Sequence, residues 1–303
     1  MSNVIEVRNL QKSYGQMVAV DGVSFSVQQG EIFGIVGPNG AGKTTIIETI
    51  IGLRAADSGQ ISVLGLNPQQ DARELGHRIG TQLQQAALPD RMKVWEALDL
   101  YAAFYERTIP WEPLLEHWGL GDKRNAQFAN LSGGQKQRLF ICLALLNDPE
   151  IVFLDELTTG LDPQSRRATW ELVTAIRDHG KTVIVISHYM DEVEELADRV
   201  AIIDHGHLIA LDTPANLINE LHGETRVHFT SSNGFEPDQL SGVAGVTAIS
   251  QDNHHITVSG HGPLLARVAA ALAQHNVAPA DLRVENPSLE DVFLALTGKT
   301  IRK

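Results

Sequence analysis

Three glycines lie close together in the segment Gly37-Pro38-Asn39-Gly40-Ala41-Gly42-Lys43-Thr44-Thr45. It follows an apolar run at residues 32–36 and precedes residues 46–51, where isoleucines recur at helical spacing. A strand, a glycine-rich loop and a helix in this order are typical of a phosphate-binding loop, because glycines let backbone N–H groups surround an anion. We therefore predict that this loop binds nucleotide phosphates, with Lys43 on the β- and γ-phosphates and the Thr44 hydroxyl on Mg²⁺.

A second feature is the apolar run at residues 151–154, which ends in Asp155 and Glu156. Short uninterrupted apolar runs are typical of buried parallel strands, and residues 183–186 form another, with a predicted helix at residues 166–177 between them. A carboxylate at the carboxyl end of such a strand lies where ligands bind. We expect Asp155 to hold the hydration shell of Mg²⁺ and Glu156 to polarise a water. Taken alone, the pattern is equally compatible with an ordinary strand that ends in a charged turn.

A third motif lies upstream of Asp155. It reads Leu131-Ser132-Gly133-Gly134-Gln135-Lys136-Gln137-Arg138. A serine and two glycines at the start of a helix would expose backbone donors to an anion. This string resembles the signature motif of the ATPase subunits of ABC transporters.

The resemblance extends to shorter motifs in the same order along the chain. Tyr14 matches the aromatic residue that stacks on adenine, and Gln84 matches the glutamine that reaches Mg²⁺ and the transport interface. Residues 160–162 match the loop that faces a partner ATPase, and His188 matches the histidine that contacts the γ-phosphate. Leu157 departs from the pattern, because many family members carry proline after the catalytic glutamate. We expect this difference to alter loop stiffness at most.

The resemblance covers residues 4–221 and implies an α/β fold, a P-loop NTPase core of the ABC ATPase type. The core would carry an antiparallel β subdomain and a helical subdomain at about residues 85–147. The implied catalytic residues are Glu156, His188 and Lys43. The implied ligands of ATP are Tyr14, Gly37, Pro38, Asn39, Gly40, Ala41, Gly42, Lys43, Thr44, Thr45, Gln84, Ser132, Gly133 and Gly134. The implied ligands of Mg²⁺ are Thr44, Gln84 and Asp155.

Residues 222–303 predict a separate small α+β domain. Its predicted strands are residues 226–229, 246–250, 256–258 and 282–285, and its predicted helix is residues 264–273. Residues 287–298 are similar to the C-terminal extension of ABC exporter ATPases that serve drug, antibiotic or polysaccharide permeases. We find no chemistry-bearing motif in this part of the sequence.

Composition restricts the possible classes of protein. The 303 residues include 37 acidic and 24 basic side chains, for a net charge of −13, which disfavours extended nucleic-acid binding. Cys142 is the single cysteine and excludes an intramolecular disulfide framework. We find neither an apolar run of the roughly 20 residues that span a bilayer nor a signal peptide. We expect a chain at the cytoplasmic face of the inner membrane, held there through a permease.

The sequence therefore predicts an ATPase that couples MgATP hydrolysis to efflux through a separate membrane permease. The chain has one phosphate loop and one signature motif, and in the resembling family these face each other across a dimer, so we expect a homodimer. One alternative is a soluble ABC-type ATPase of DNA repair or translation. The repair branch of the family interrupts its ATPase with a long coiled coil, and none separates Lys43 from Asp155. The translation branch carries two cassettes in one chain, and this chain has one. Another alternative, a nucleotide sensor without turnover, is disfavoured because Glu156 and His188 are also present.

The permease would need a docking surface. Leu88, Met92, Val94 and Trp95 form an apolar set beside Gln84, and such a set on an acidic protein is a candidate groove for a short helix of the permease. The alternative is that these side chains are the core of the helical subdomain. We expect the groove, and burial of these residues would contradict it.

Overall fold

The computed structural model describes residues 2–83, 87–221, 223–231, 236–275, 277, 279 and 281–298. The chain divides into two compact units, Met1–Pro214 and Ala215–Lys303. The sequence placed the boundary after residue 221, whereas the division falls at the start of the helix Pro214–Glu220. The limit at residue 221 is the end of the resemblance to the ABC ATPases, which takes in this helix.

The first unit contains nine strands and seven helices among the described residues. The strands are β1 Asn3–Tyr14, β2 Met17–Gln28, β3 Ile32–Val36, β4 Ser58–Val63, β5 Ile79–Gln82, β6 Ile151–Asp155, β7 Thr182–Ser187, β8 Arg199–Asp204 and β9 His207–Asp212. The helices are α1 Lys43–Ile50, α2 Ala72–Arg78, α3 Val94–Ala102, α4 Trp111–His117, α5 Gly133–Leu145, α6 Pro163–Asp178 and α7 Met190–Leu196. Short 3₁₀ turns lie at Gly121–Lys123 and Phe128–Asn130.

The central sheet has six strands in the order β5-β6-β7-β3-β8-β9, and all neighbours are parallel except β8 and β9. Every residue of β3, β6 and β7 is buried, which explains their uninterrupted apolar sequences. Asp155 pairs with Ile186 and Val36 pairs with Ser187, so the carboxyl ends of the three strands share one edge of the sheet. The predicted α/β fold is confirmed, and Asp155 at the end of β6 and His188 after the end of β7 lie at this edge.

A smaller antiparallel sheet, in the order β2-β1-β4, packs with α1 on one side of the central sheet. Phe25 on β2 stacks on Phe33 of β3 with ring centroids 5.4 Å apart. Val7, Val27 and Ile47 belong to the same buried cluster. The cluster packs this sheet against α1, which follows the phosphate-binding loop.

Helices α3, α4 and α5 cover another part of the central sheet. Leu98, Leu115 and Leu139, one from each helix, share a buried cluster with Val152 of β6. Helix α5 also lies close to β5, and Gly80 leaves no room for a side chain there. These helices therefore share one hydrophobic core with the sheet. All three lie within residues 85–147, the range in which the sequence predicted a helical subdomain.

The docking groove predicted from the sequence is wrong for two of its four residues. Leu88 is 8% exposed and Val94 is fully buried, and both belong to the cluster beneath α3 and α5. Met92 packs against the same cluster, and Trp95 is half-buried. Backbone hydrogen bonds join residues 92–94 to residues 126–128, which turns the apolar side chains inward.

The second unit is an α+β domain. Its strands are β10 Thr225–Thr230, β11 Val246–Asp252, β12 His255–Gly260 and β13 Arg283–Glu285, and its helices are α8 Pro214–Glu220, α9 Leu264–Gln274 and α10 Leu289–Thr297. The strands form an antiparallel sheet in the order β11-β12-β10-β13. Val227 and Phe229 of β10 pack with Val268 of α9 in a buried cluster, as the alternating sequence predicts. Of the helices among the described residues, none is long and apolar enough to cross a bilayer.

Candidate functional site

Helix α1 begins at Lys43, whose side chain turns back into the preceding loop. Its ammonium donates hydrogen bonds to the carbonyl oxygens of Gly37, at 2.7 Å, and Pro38, at 3.0 Å. Burial lowers the pKa of Lys43, and the negative charges of Glu156 and Asp155 act in the opposite direction. A buried cation held among carbonyl oxygens beside a helix N-terminus is suited to bind a polyphosphate.

The loop is too narrow for side chains at two of its glycines. A Cβ atom on Gly37 would lie 2.1 Å from the carbonyl oxygen of Ile203. Gly42 has a φ of 103°, and a Cβ atom there would lie 2.3 Å from the carbonyl oxygen of Ala19. Glycine is therefore required at both positions. The other residues of the loop vary in exposure: Ala41 is buried, Pro38 and Thr45 are half-buried, and Asn39, Gly40 and Thr44 are exposed.

The two carboxylates predicted at the end of β6 have different surroundings. Asp155 is buried within the strand, whereas Glu156 is half-buried and adopts a left-handed φ of 50°. This conformation is unusual for a side chain larger than glycine and occurs often at functional sites. The amide of Glu156 donates to the carbonyl oxygen of Ile186 at 2.9 Å. The backbone of β7 thus holds Glu156 in its strained position.

His188 directly follows β7 and contacts Glu156. The imidazole Nδ1 lies 3.1 Å from the Oε1 atom of Glu156. All three residues predicted to be catalytic therefore converge, because the Glu156 carboxylate interacts with both His188 and Lys43. Leu157, the departure from the family pattern, is buried in the core and anchors the loop after Glu156.

The residues at this edge fit a magnesium ion that also binds phosphate. Asp155 offers a carboxylate and Thr44, beside Lys43, offers a hydroxyl, and both are hard oxygen ligands. In the described part of the chain, no group of three His, Cys, Asp or Glu side chains could hold a metal by itself. Mg²⁺ is commonly held by one or two protein oxygens together with substrate phosphates, so a sparse ligand set is compatible with it. Gln84, the third predicted ligand, lies outside the described residues.

The signature motif forms the start of α5. The Ser132 hydroxyl accepts from the amide of Gln135 at 3.3 Å, and the Gln135 side chain accepts from the amide of Ser132 at 2.9 Å. This reciprocal capping explains why the helix begins here. Ser132 and Gly133 are exposed, and Gly134 is half-buried. The predicted anion-binding residues are therefore accessible from solvent.

Tyr14 ends β1 with its side chain 41% exposed. The Arg54 guanidinium lies 5.5 Å and the Lys12 ammonium 5.6 Å from the centre of its ring. Lys12 in turn pairs with Asp57 at 2.8 Å. Sequence reasoning missed both cations. Lys12 is two residues from Tyr14 and could have been found there, whereas Arg54 lies between α1 and β4 and is brought to the end of β1 by tertiary contacts such as the pairing of Gln11 with Ser58.

The loop expected to face a second ATPase ends in Asp162, which caps α6. The Asp162 carboxylate accepts hydrogen bonds from the amides of Gln164 and Ser165, both at 3.0 Å. The Ser165 hydroxyl donates a further hydrogen bond at 2.6 Å, and this bond, followed by the two amide bonds, holds the pKa of Asp162 below its usual range. Asp162 and Gly160 are exposed. The loop is thus rigidly attached to α6 and open to a partner.

Comparison with known proteins agrees with this geometry. A family model described as ABC transporter matches residues 20–159. The chain is 36% identical to the linearmycin resistance ATP-binding protein LnrL of Bacillus subtilis, over 99% of this chain and 100% of that protein. It is 37% identical to the Nod factor export ATP-binding protein I of Burkholderia lata, over 98% of each chain.

A solved structure is similar in fold and, at 26% identity, in sequence. It is described as the dimeric structure of a post-hydrolysis state of an ATP-binding cassette bound to ADP and Pi. Its TM-score is 0.62, and the match covers 69% of this chain and 98% of that one. The chain belongs to the ABC transporter family, as an ATP-binding subunit with ATPase activity. The resemblance to ABC exporter subunits inferred from the motifs is confirmed.

Proposed function

We propose that this chain powers export by hydrolysing MgATP in a nucleotide-sandwich homodimer that is attached to a separate permease at the cytoplasmic face of the inner membrane. The observation that carries the proposal is the contact of Glu156 with His188 beside the buried Lys43. A carboxylate held by a histidine, next to a phosphate-binding cation, has the geometry needed to orient a water towards a γ-phosphate.

Each residue of the site has a separate role in this proposal. Lys43 binds the β- and γ-phosphates and offsets their charge. Thr44 and Asp155 would hold Mg²⁺, which supplies further charge neutralisation on the phosphates. Glu156 accepts a hydrogen bond from the attacking water, and His188 holds Glu156 and contacts the γ-phosphate.

The homodimer is supported by the exposure of the signature motif. Ser132 and Gly133 present a helix N-terminus to solvent, and such a terminus binds anions. The similar solved cassette is described as dimeric. In the proposed dimer, the signature motif of one copy covers the nucleotide bound to Lys43 of the other copy. Tyr14 would stack on the adenine.

The exporter role and the permease are supported by the names of the relatives, one for linearmycin resistance and one for Nod factor export. Similarity to both extends across the second unit and is not confined to the ATPase core. The net charge of −13 disfavours extended nucleic-acid binding, so we assign a membrane protein rather than RNA or DNA as the partner.

Two measurements test the proposed function. Steady-state phosphate release from ATP should require Mg²⁺ and should disappear in Lys43→Ala. An affinity-tagged chain should be recovered from detergent-solubilised membranes together with an integral membrane protein. Recovery with ribosomes or DNA instead would favour the translation or repair alternative, and ATP binding without phosphate release would favour a nucleotide sensor.

A further inference from the structure

A fully buried carboxylate lies next to the catalytic residues without a role in the mechanism above. Glu192, in the first turn of α7, has none of its surface exposed. A carboxylate is rarely buried completely unless other groups hydrogen-bond to it, because the loss of hydration is costly. The hydrogen-bond partners of Glu192 therefore indicate why it is there.

Both carboxylate oxygens of Glu192 accept hydrogen bonds. The Ser187 hydroxyl donates to Oε2 at 2.6 Å, and the Trp170 indole N–H donates to Oε1 at 3.2 Å. Ser187 is the last residue of β7, and Trp170 lies in α6. Glu192 thus connects three elements: β7, α6 and its own helix α7. Burial raises its pKa, and the neighbouring side chains of Ser187, Thr158 and Trp170 oppose that shift.

Ser187 also forms a hydrogen bond with Tyr189, the residue that follows His188. The Ser187 oxygen accepts from the backbone amide of Tyr189 at 3.0 Å. Because a hydroxyl has a single proton, the Ser187 oxygen can accept from Tyr189 while its proton points at Glu192. The residues immediately before and after His188 are therefore joined by one series of hydrogen bonds, from Tyr189 to Ser187 and from Ser187 to Glu192, which we call the relay.

His188 in turn contacts the Oε1 atom of Glu156 at 3.1 Å. The amide of Glu156 is bonded to Ile186, the residue before Ser187. A displacement of the Ser187–Tyr189 segment would therefore move His188 relative to Glu156. We infer that Glu192 is a positioning residue, which holds His188 against Glu156 through Ser187. The assignment rests on the catalytic roles proposed above for Glu156 and His188.

Helix α6 also contacts the residues that follow His188, through Arg166. The Arg166 guanidinium lies 4.9 Å from the centre of the Tyr189 ring and pairs with Asp191 at 3.2 Å. Helix α6 begins after Asp162, in the loop expected to face the second copy. The relay through Glu192 thus ties the histidine segment to the helix that starts at the proposed dimer interface.

A matched control is available in Glu31. It is also a buried carboxylate whose pKa is raised by burial, and it accepts from the amide of Gln28 at 2.7 Å and pairs with Arg199 at 3.3 Å. It directly precedes β3, so it lies at the amino edge of the parallel strands, opposite His188. A change at Glu31 disturbs a comparable buried group without touching the relay.

The test compares Glu192→Gln with Glu31→Gln in phosphate release, ATP affinity and melting temperature. Glutamine keeps the shape but places an NH₂ group where Ser187 or Trp170 donates. We expect Glu192→Gln to lower kcat at least about tenfold, with the dissociation constant for ATP changed less than about twofold. Glu31→Gln should keep kcat within about twofold, whatever its melting temperature. Equal kcat losses in the two variants, or a wild-type kcat in Glu192→Gln, would overturn the assignment.

A double-mutant cycle separates positioning from general destabilisation. If Glu192 acts through His188, Glu192→Gln should cause no further loss of kcat in a His188→Ala background. A full additional loss in that background would overturn the assignment. Should Glu192→Gln not fold, Ser187→Ala interrupts the same relay and should reproduce the kcat loss, and a wild-type kcat there would again overturn it. Wild-type turnover in both Glu156→Gln and His188→Ala would instead contradict the proposed function.

Discussion

The Nδ1 atom of His188 lies 3.1 Å from the Oε1 atom of Glu156. His188 follows β7 and Glu156 follows the neighbouring parallel strand β6. The backbone pairing of Asp155 with Ile186 places both residues at the same carboxyl edge of the sheet. The left-handed φ of Glu156 turns its side chain out of the strand direction. The contact therefore depends on the register of two strands and on one strained residue.

Replacing Glu156 by glutamine should separate ATP binding from hydrolysis. The amide keeps the size of the side chain but is a much weaker acceptor for the attacking water, so kcat should fall by a factor on the order of 10² or more. The variant should also accumulate as an ATP-bound dimer in size-exclusion chromatography. Glu150→Gln is a control, because Glu150 pairs with Arg78 at the opposite end of β6. Wild-type turnover in Glu156→Gln would assign catalysis to another residue.

Complementation between two inactive variants should reveal a shared site. Lys43→Ala removes the buried phosphate-binding cation and should weaken ATP affinity at least about tenfold. Ser132→Arg should still bind ATP but fail to dimerise around it, because the new side chain blocks the start of α5. A mixture should recover phosphate release, since each mixed pair has one intact composite site. A mixture no more active than the sum of its parts, despite mixed dimers in crosslinking, would contradict the shared site.

Glutamate in place of Leu88 should destabilise the fold rather than act on a surface. Leu88 is buried in the cluster beneath α3 and α5, so an unpaired carboxylate there should reduce the free energy of unfolding by roughly 3 kcal/mol or more. Leu100 on α3 is 45% exposed, and Leu100→Glu should change the free energy by only about 0.5 kcal/mol. Urea denaturation measures both. Equal stability of the two variants would mean that Leu88 is not in the core.

Alanine at Gly80 should disrupt the contact between β5 and α5. A Cβ atom on Gly80 would lie 1.9 Å from the carbonyl oxygen of Ala144, so the two elements would have to separate, at a cost of about 2 kcal/mol. Gly76 in α2 has open space around it, and Gly76→Ala should be neutral or stabilise the helix by up to about 1 kcal/mol. Unfolding midpoints in urea compare the two directly. A Gly80→Ala variant as stable as Gly76→Ala would contradict the close packing.

The local sequence was sufficient to predict the phosphate-binding loop, the parallel strands β6 and β7 and the class of protein. The phosphate-binding loop can be recognised because the apolar run, the glycines of residues 37–42 and the residues of the following helix are consecutive in the sequence. The strands can be recognised because burial on both faces requires an uninterrupted apolar run. Both patterns involve consecutive residues, so they can be identified without knowledge of the fold.

The burial of Leu88 and the role of Glu192 were decided only by the tertiary structure. An apolar pattern indicates that a side chain will be buried, but it does not indicate whether it is buried in the core of the same chain or against a partner. Trp170 is 22 residues from Glu192 and Glu156 is 32 residues from His188, and these pairs meet because of the strand order β6-β7-β3. Sheet order and helix packing result from many distant contacts at once, so a local sequence motif cannot specify which buried polar groups become neighbours.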